Sequence, residues 1–183
     1  PWALYKGFDN KLETVDLSAN LCAEKYPRIR HGCLHTDMVR LREGGAGAQL
    51  WSVYVPTTLQ GAEAVQQTLE QIDVVHRLCD KYPETLEFAW TASDVKRIFA
   101  AGRIPSLCGV EGGHQINQSL ATLRMFHRIG VRYMTLTHNG SPGWAEAACG
   151  FSGDFIGDEP TKPRIGLTAF GCEVVREMNR LGM

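Results

Sequence analysis

An α/β fold with a parallel sheet is the class this sequence predicts, and three observations predict it. Strand-like and helix-like segments alternate, in the order strand, two helices, strand, helix, strand, long loop, helix. Strands separated by helices pair in parallel, because each crossover returns the chain to the same end of the sheet. The run Ile104-Pro105-Ser106-Leu107-Cys108-Gly109-Val110 is apolar nearly throughout, as a buried strand is. Three parallel strands alone leave two open edges. The pattern therefore fits a partial (β/α)8 barrel cut near its middle, with an open doubly wound sheet as the alternative.

Residues 1–43 show no strong period and are expected to be irregular with short helical pieces. Residues 46–55 read as a strand, entered through Gly44-Gly45 and closed by Pro56. Residues 63–82 read as a helix with Val65, Leu69, Ile72, Val75 and Cys79 on its inner stripe. Pro83 stops it. A short helix over 92–101 has Thr91 as N-cap, Asp94 at the capping-box position and Gly102 at its end. The 104–110 strand follows, then a helix over 118–129 ended by Gly130 and a strand over 131–137. Residues 139–167 are rich in Gly, Ser, Pro, Asp and Glu and read as one long loop at the functional face. Thr168 caps a last helix that presents Phe170, Val174, Met178 and Leu181 inward and closes at Gly182.

Composition narrows the function classes. The chain has 183 residues, 44% of them hydrophobic, enough for one domain or part of a larger one. Its 19 basic and 20 acidic residues leave a formal charge of −1. That balance gives no electrostatic case for nucleic acid or an anionic membrane. No apolar stretch reaches the ~18 residues a transmembrane helix needs. Six cysteines include no C-x-x-C pair, and Cys79 and Cys108 fall in apolar segments as buried thiols. Two glycosylation sequons begin at Asn117 and Asn139. Neither cysteines nor sequons assign a compartment.

The chemistry-bearing residues gather at strand ends. Glu111-Gly112-Gly113-His114 follows the 104–110 strand, and His138 follows the 131–137 strand. The carboxyl ends of parallel strands form the functional face of such folds. A carboxylate at an apolar mouth needs a partner. A metal ion is the functional answer and an arginine salt bridge the structural one. The two glycines clear side-chain bulk for an ion or substrate. For His138 the structural alternative is a loop histidine bonded to a backbone carbonyl. His114 suits an orienting role behind the site better than a ligand role. His31, Cys33 and His35 share a face if extended but lack an obvious fourth zinc ligand. His76 and His127 read as surface or boundary residues on helices, Trp51 as core, and Trp144 as a loop residue lining a pocket.

Taken in order, Gln49–Tyr54, Gln71–Arg77, Gly109–His114, Arg132–Asn139 and Glu177–Met183 resemble the membrane dipeptidase family of zinc peptidases. The Glu-Gly-Gly-His and Leu-Thr-His motifs carry the resemblance together. It implies a (β/α)8 barrel, of which this chain holds about strands 2 to 4, truncated at both ends. It also implies two zinc ions per intact site, with Glu111 as the bridging carboxylate and His138 as the histidine that polarises the scissile group. The implied reaction is hydrolysis of a dipeptide substrate, and a homodimer of the intact protein is compatible with the family. The remaining zinc ligands are expected before Pro1 and beyond Met183, so residues 1–183 alone are expected to be inactive. Thr57 and Gly140 stand where mammalian members carry a disulfide. A glycan on Asn139 would crowd the substrate histidine, so that sequon is expected to be unmodified. The alternative function is a truncated, non-catalytic relative that acts as an interaction module.

Overall fold

The longest strand, Ile104–Glu111, is the hub of the fold. In this computed structural model, which describes residues 1–19, 21, 34–148 and 166–183, it pairs with each of three other strands. In chain order the elements are α1 (Trp2–Phe8), a 3-10 turn (Leu12–Thr14), α2 (Met38–Glu43), β1 (Gln49–Tyr54), α3 (Gly61–Lys81), β2 (Leu86–Phe88), α4 (Ala92–Ala100), β3 (Ile104–Glu111), a second 3-10 turn (Gly113–Ile116), α5 (Leu120–Arg128), β4 (Val131–Thr135) and α6 (Ala169–Leu181). β1, β2 and β4 all pair with β3, and β2 runs parallel to it with Leu86 beside Ile104. The α/β class with a parallel sheet is as expected.

The chain forms two compact units. One comprises Pro1–Ser52 and Glu70–Cys108, the other Val53–Leu69 and Gly109–Met183. In the first unit, β2 was not legible in the sequence. It is three residues long, too short to show a period, and is defined by what it pairs with. Ile104 donates to Thr85 O at 2.7 Å and Ala89 donates to Ser106 O at 2.9 Å. Pro105, which has no N–H, falls between these two bonds. Thr91 caps α4 by accepting from Asp94 N while Asp94 accepts from Thr91 N, the expected capping box. Asp37, fully buried, caps α2 and also accepts from Leu21 N and Arg40 Nε. His76 stacks on Phe88 at 4.3 Å, half-buried as a boundary residue should be.

In the second unit, Leu123 and Phe126 of α5 are buried, as is Val174 of α6. Each such side chain contributes ~1.5–3 kcal/mol on burial. α5 starts two residues later than expected because Asn117 and Gln118 take left-handed backbone and Ser119 supplies the cap. Thr168 caps α6, and Gly182 ends it at φ +77°, both as read.

One expectation fails in α3. Leu69 is exposed, while Thr68 and Gln71 are fully buried with Ala64, Ile72 and Val75. The inner stripe is turned so that two polar residues point inward. A hydrophobic count cannot see this, because Thr68 is inside to make hydrogen bonds. Among the described residues no helix is long and apolar enough to cross a membrane.

Candidate active site

Three strand ends in the second unit carry the polar side chains that meet. Glu111 is the last residue of β3, Tyr54 the last of β1, and His138 lies three residues beyond β4. His138 Nε2 stands 2.8 Å from Glu111 Oε1. A carboxylate oxygen only accepts, so the imidazole carries its proton on Nε2. His138 Nδ1 is buried without a hydrogen-bond partner. The two side chains are 28% and 32% exposed, so a small ligand can reach them. Glu111 and His138 were expected side by side on this face, and they are. The contact replaces the backbone carbonyl expected for a merely structural His138.

Tyr54 is the residue sequence reasoning missed. Its ring meets the His138 ring edge-on at 5.2 Å. Burial first, and the Glu111 charge second, raise its hydroxyl above the usual tyrosine pKa. In the sequence Tyr54 stands inside a strand expected to run to residue 55, which keeps it from counting among the strand-end residues.

The glycines have a different reason from the one expected. A Cβ on Gly113 would lie 2.4 Å from the Trp144 ring and 2.6 Å from Leu136 O. A Cβ on Gly109 would lie 1.9 Å from Tyr133. These spaces are filled by the protein itself. Gly113 N also donates to Leu136 O at 3.2 Å, which brings the chain beyond β4 against the end of β3. Gly112 has φ +118°, a conformation few side chains tolerate, and a Cβ there would strike the His114 ring. Trp144 is buried, packed against Gly113 and edge-on to Phe170 at 6.3 Å, so it backs the site.

His114 does not face the mouth. It is buried, and its Nε2 donates to Val55 O at 3.0 Å. Burial lowers its pKa; hydrogen bonds to Val55 and Pro56 oppose this, while nearby His138 adds to it. Neighbouring Gln115 donates to Glu111 O at 2.8 Å and to Val53 O at 3.3 Å. Thr57 and Gly140 are neighbours: a Cβ on Gly140 would lie 3.3 Å from that of Thr57. His31 and Cys33 lie outside the described residues, and His35 is exposed. Most of the 139–167 segment, residues 149–165, also lies outside them.

The donor set can be tested against a metal. Among the described residues no group of three or more His, Cys, Asp and Glu side chains could hold an ion. Glu111 has the right chemistry, and His138 Nδ1 is a ring nitrogen without a hydrogen-bond partner. Two residues fall short of the three or four ligands zinc takes from a protein. These residues by themselves do not make a zinc site.

The sequence profile of membrane dipeptidase (peptidase family M19) matches residues 6–183. The chain belongs to the membrane dipeptidase family. Mouse dipeptidase 3 is 42% identical over all 183 residues, which are 33% of its own length. The chain thus spans about one third of this curated relative. Dipeptidase AC, a solved M19 metallopeptidase, superposes with a TM-score of 0.69 at 24% identity, over 82% of this chain and 46% of its own. A metallopeptidase of Rhodobacter sphaeroides, solved with a phosphinate mimic of L-Ala-D-Ala, gives 0.66 at 23% identity, over 82% of this chain and 48% of its own. At these identities the two structures establish the shared fold. The membrane dipeptidase assignment rests on the profile, which covers nearly the whole chain.

Proposed function

We propose that the intact protein is a zinc-dependent dipeptidase to which this chain contributes Glu111 and His138. Glu111 would be a carboxylate ligand to zinc in the intact site, and His138 would donate to the carbonyl oxygen of the scissile amide. The single observation that carries this reading is the 2.8 Å contact of the two side chains, one closing β3 and one just past β4. β1, β3 and β4 are read as about strands 2 to 4 of a (β/α)8 barrel, with β2 additional, a reading supported by the fold shared with solved metallopeptidases.

The residues divide the work as follows. Glu111 places a negative charge at the mouth. His138 holds a proton on Nε2, now directed at Glu111. With the Glu111 oxygens engaged elsewhere, that N–H is free to meet the charge developing on a carbonyl oxygen. His114 holds the end of β1 from behind. When bound, zinc supplies Lewis acidity and makes water nucleophilic at neutral pH.

The intact protein is expected to hydrolyse dipeptides, to lose this activity on chelation and to regain it with zinc. Residues 1–183 alone are expected to show no tight zinc binding by calorimetry and no hydrolysis. Stoichiometric zinc on the isolated segment, abolished by Glu111→Ala, would overturn the second expectation. The two-residue donor set favours one rival, a non-catalytic interaction module. An intact protein that binds zinc yet hydrolyses no dipeptide would decide for the rival.

A further inference from the structure

The turn Gly113–Ile116 comes directly after Glu111 and Gly112, and Gln115 within it is fully buried. A buried amide is costly unless its donors and acceptor are matched. Here they are. Nε2 donates to Glu111 O and Val53 O, and Oε1 accepts from Thr68 Oγ1 at 2.7 Å. The amide cannot be reversed, since its oxygen would then face two carbonyls that only accept. Thr68 is itself buried, and its single hydroxyl proton is shared between Gln115 Oε1 and Ala64 O, each 2.7 Å away.

We propose that Gln115 is a positioning residue, which fixes the backbones of Tyr54 and Glu111 relative to each other and through Glu111 sets His138. The inference rests on reading this mouth as the active site. Three backbone oxygens are held from the one turn: Glu111 O and Val53 O by Gln115, and Val55 O by His114. Val53 and Val55 flank Tyr54, so the residue between them has little freedom. Thr68 ties the same amide to α3. A packed apolar residue would fill the space equally well and hold none of those carbonyls. A fully matched polar network instead selects one geometry. Its members lie directly behind the residues whose spacing matters for chemistry.

The test uses the intact, metal-loaded protein and two variants, Gln115→Met and Thr68→Val. Gln115→Met keeps the length of the side chain and removes every side-chain hydrogen bond. It is expected to lower kcat about tenfold or more, since small displacements of reacting groups are costly. KM is expected to change less than about threefold. The imidazole nitrogen resonances of His138, assigned with His138→Gln, should shift. Thr68→Val should act in the same direction more weakly, and Thr68→Ser should restore both readouts. Leu123→Ala, a core truncation in α5, should lower the melting temperature and move neither. Should Gln115→Met fail to fold, Thr68→Val against Thr68→Ser carries the comparison. A kcat within about twofold of wild type, with unchanged His138 resonances in the folded variants, would overturn the proposal. Absence of hydrolysis by the wild type would defeat the functional reading instead, and the His138 resonances would still decide the role of Gln115.

Discussion

Two glutamates on paired strands are held in opposite ways. Glu87, in β2 of the first unit, lies 2.7 Å from Arg97 and also pairs with Arg103. Glu111, at the end of β3 in the second unit, meets the imidazole of His138. The hydrogen bond from Arg97 holds the Glu87 carboxyl below the usual range. Asp37 repeats the pattern. Burial pushes its carboxyl up, but bonds from Arg40 and Leu21 and the Arg40 charge outweigh that and lower it. A guanidinium is permanently charged and satisfies a carboxylate for good. An imidazole proton can be given up to another acceptor. Carboxylates that hold the fold are matched by arginine; Glu111, the carboxylate proposed to meet a metal, is matched by an imidazole, which can let go.

The largest effect should separate these two glutamates. Glu111→Gln keeps the shape and removes the charge. In the intact protein it is expected to cut dipeptide turnover about a thousandfold, roughly 4 kcal/mol of barrier. Glu87→Gln should leave turnover within about twofold and lower stability by less than about 1 kcal/mol, as an exposed ion pair warrants. Steady-state kinetics with thermal melts on the same preparations check both. If Glu87→Gln abolished turnover while the protein stayed folded, the comparison would fail.

The sequence showed these two regions unequally. Glu111 and His138 were legible because each directly follows an expected strand, and parallel topology gathers such ends on one face. α4 was legible because Thr91 and Asp94 announce its start chemically. Glu87 was not, since β2 is too short to carry a period. The inward turn of Thr68 was hidden too, because hydrophobic patterning counts a threonine as outward. The true function of Gly113 was illegible for another reason. Its neighbours Trp144 and Leu136 are more than twenty residues distant in the chain. Local pattern reports the ends of elements; it cannot report what fills the space beside them.

Glycines sharpen the comparison at intermediate scale. Gly102, in the first unit, has φ +75° and open space where a Cβ would go. Gly102→Ala is expected to cost about 1–2 kcal/mol of left-handed backbone strain and no turnover. In Gly113→Ala the new methyl meets a ring and a backbone oxygen that cannot swing away. Overpacking of this kind costs about 1–3 kcal/mol. Because the obstruction lies against the chain leading to His138, turnover should fall as well. Denaturant unfolding and kinetics on the pair separate the two cases. Equal turnover in both variants would show that the packing of Gly113 on Trp144 does not support the site.

The smallest effect concerns pH and tests the arginine side of the comparison. The Glu87 carboxyl is lowered in the folded protein. A lowered carboxylate stabilises the fold fully above its unfolded value, about 4.3. That contribution is lost as pH falls toward the folded value. The melting difference between wild type and Glu87→Gln should therefore be constant and positive from pH 7 to about 5 and shrink below that. Its size should be a few tenths to about 1 kcal/mol, since Arg97 is largely exposed. High salt should reduce it further, as it screens exposed charges. A difference that grew on acidification would mean that the unfolded state binds protons less readily than the fold. The arginines would then not be what holds Glu87.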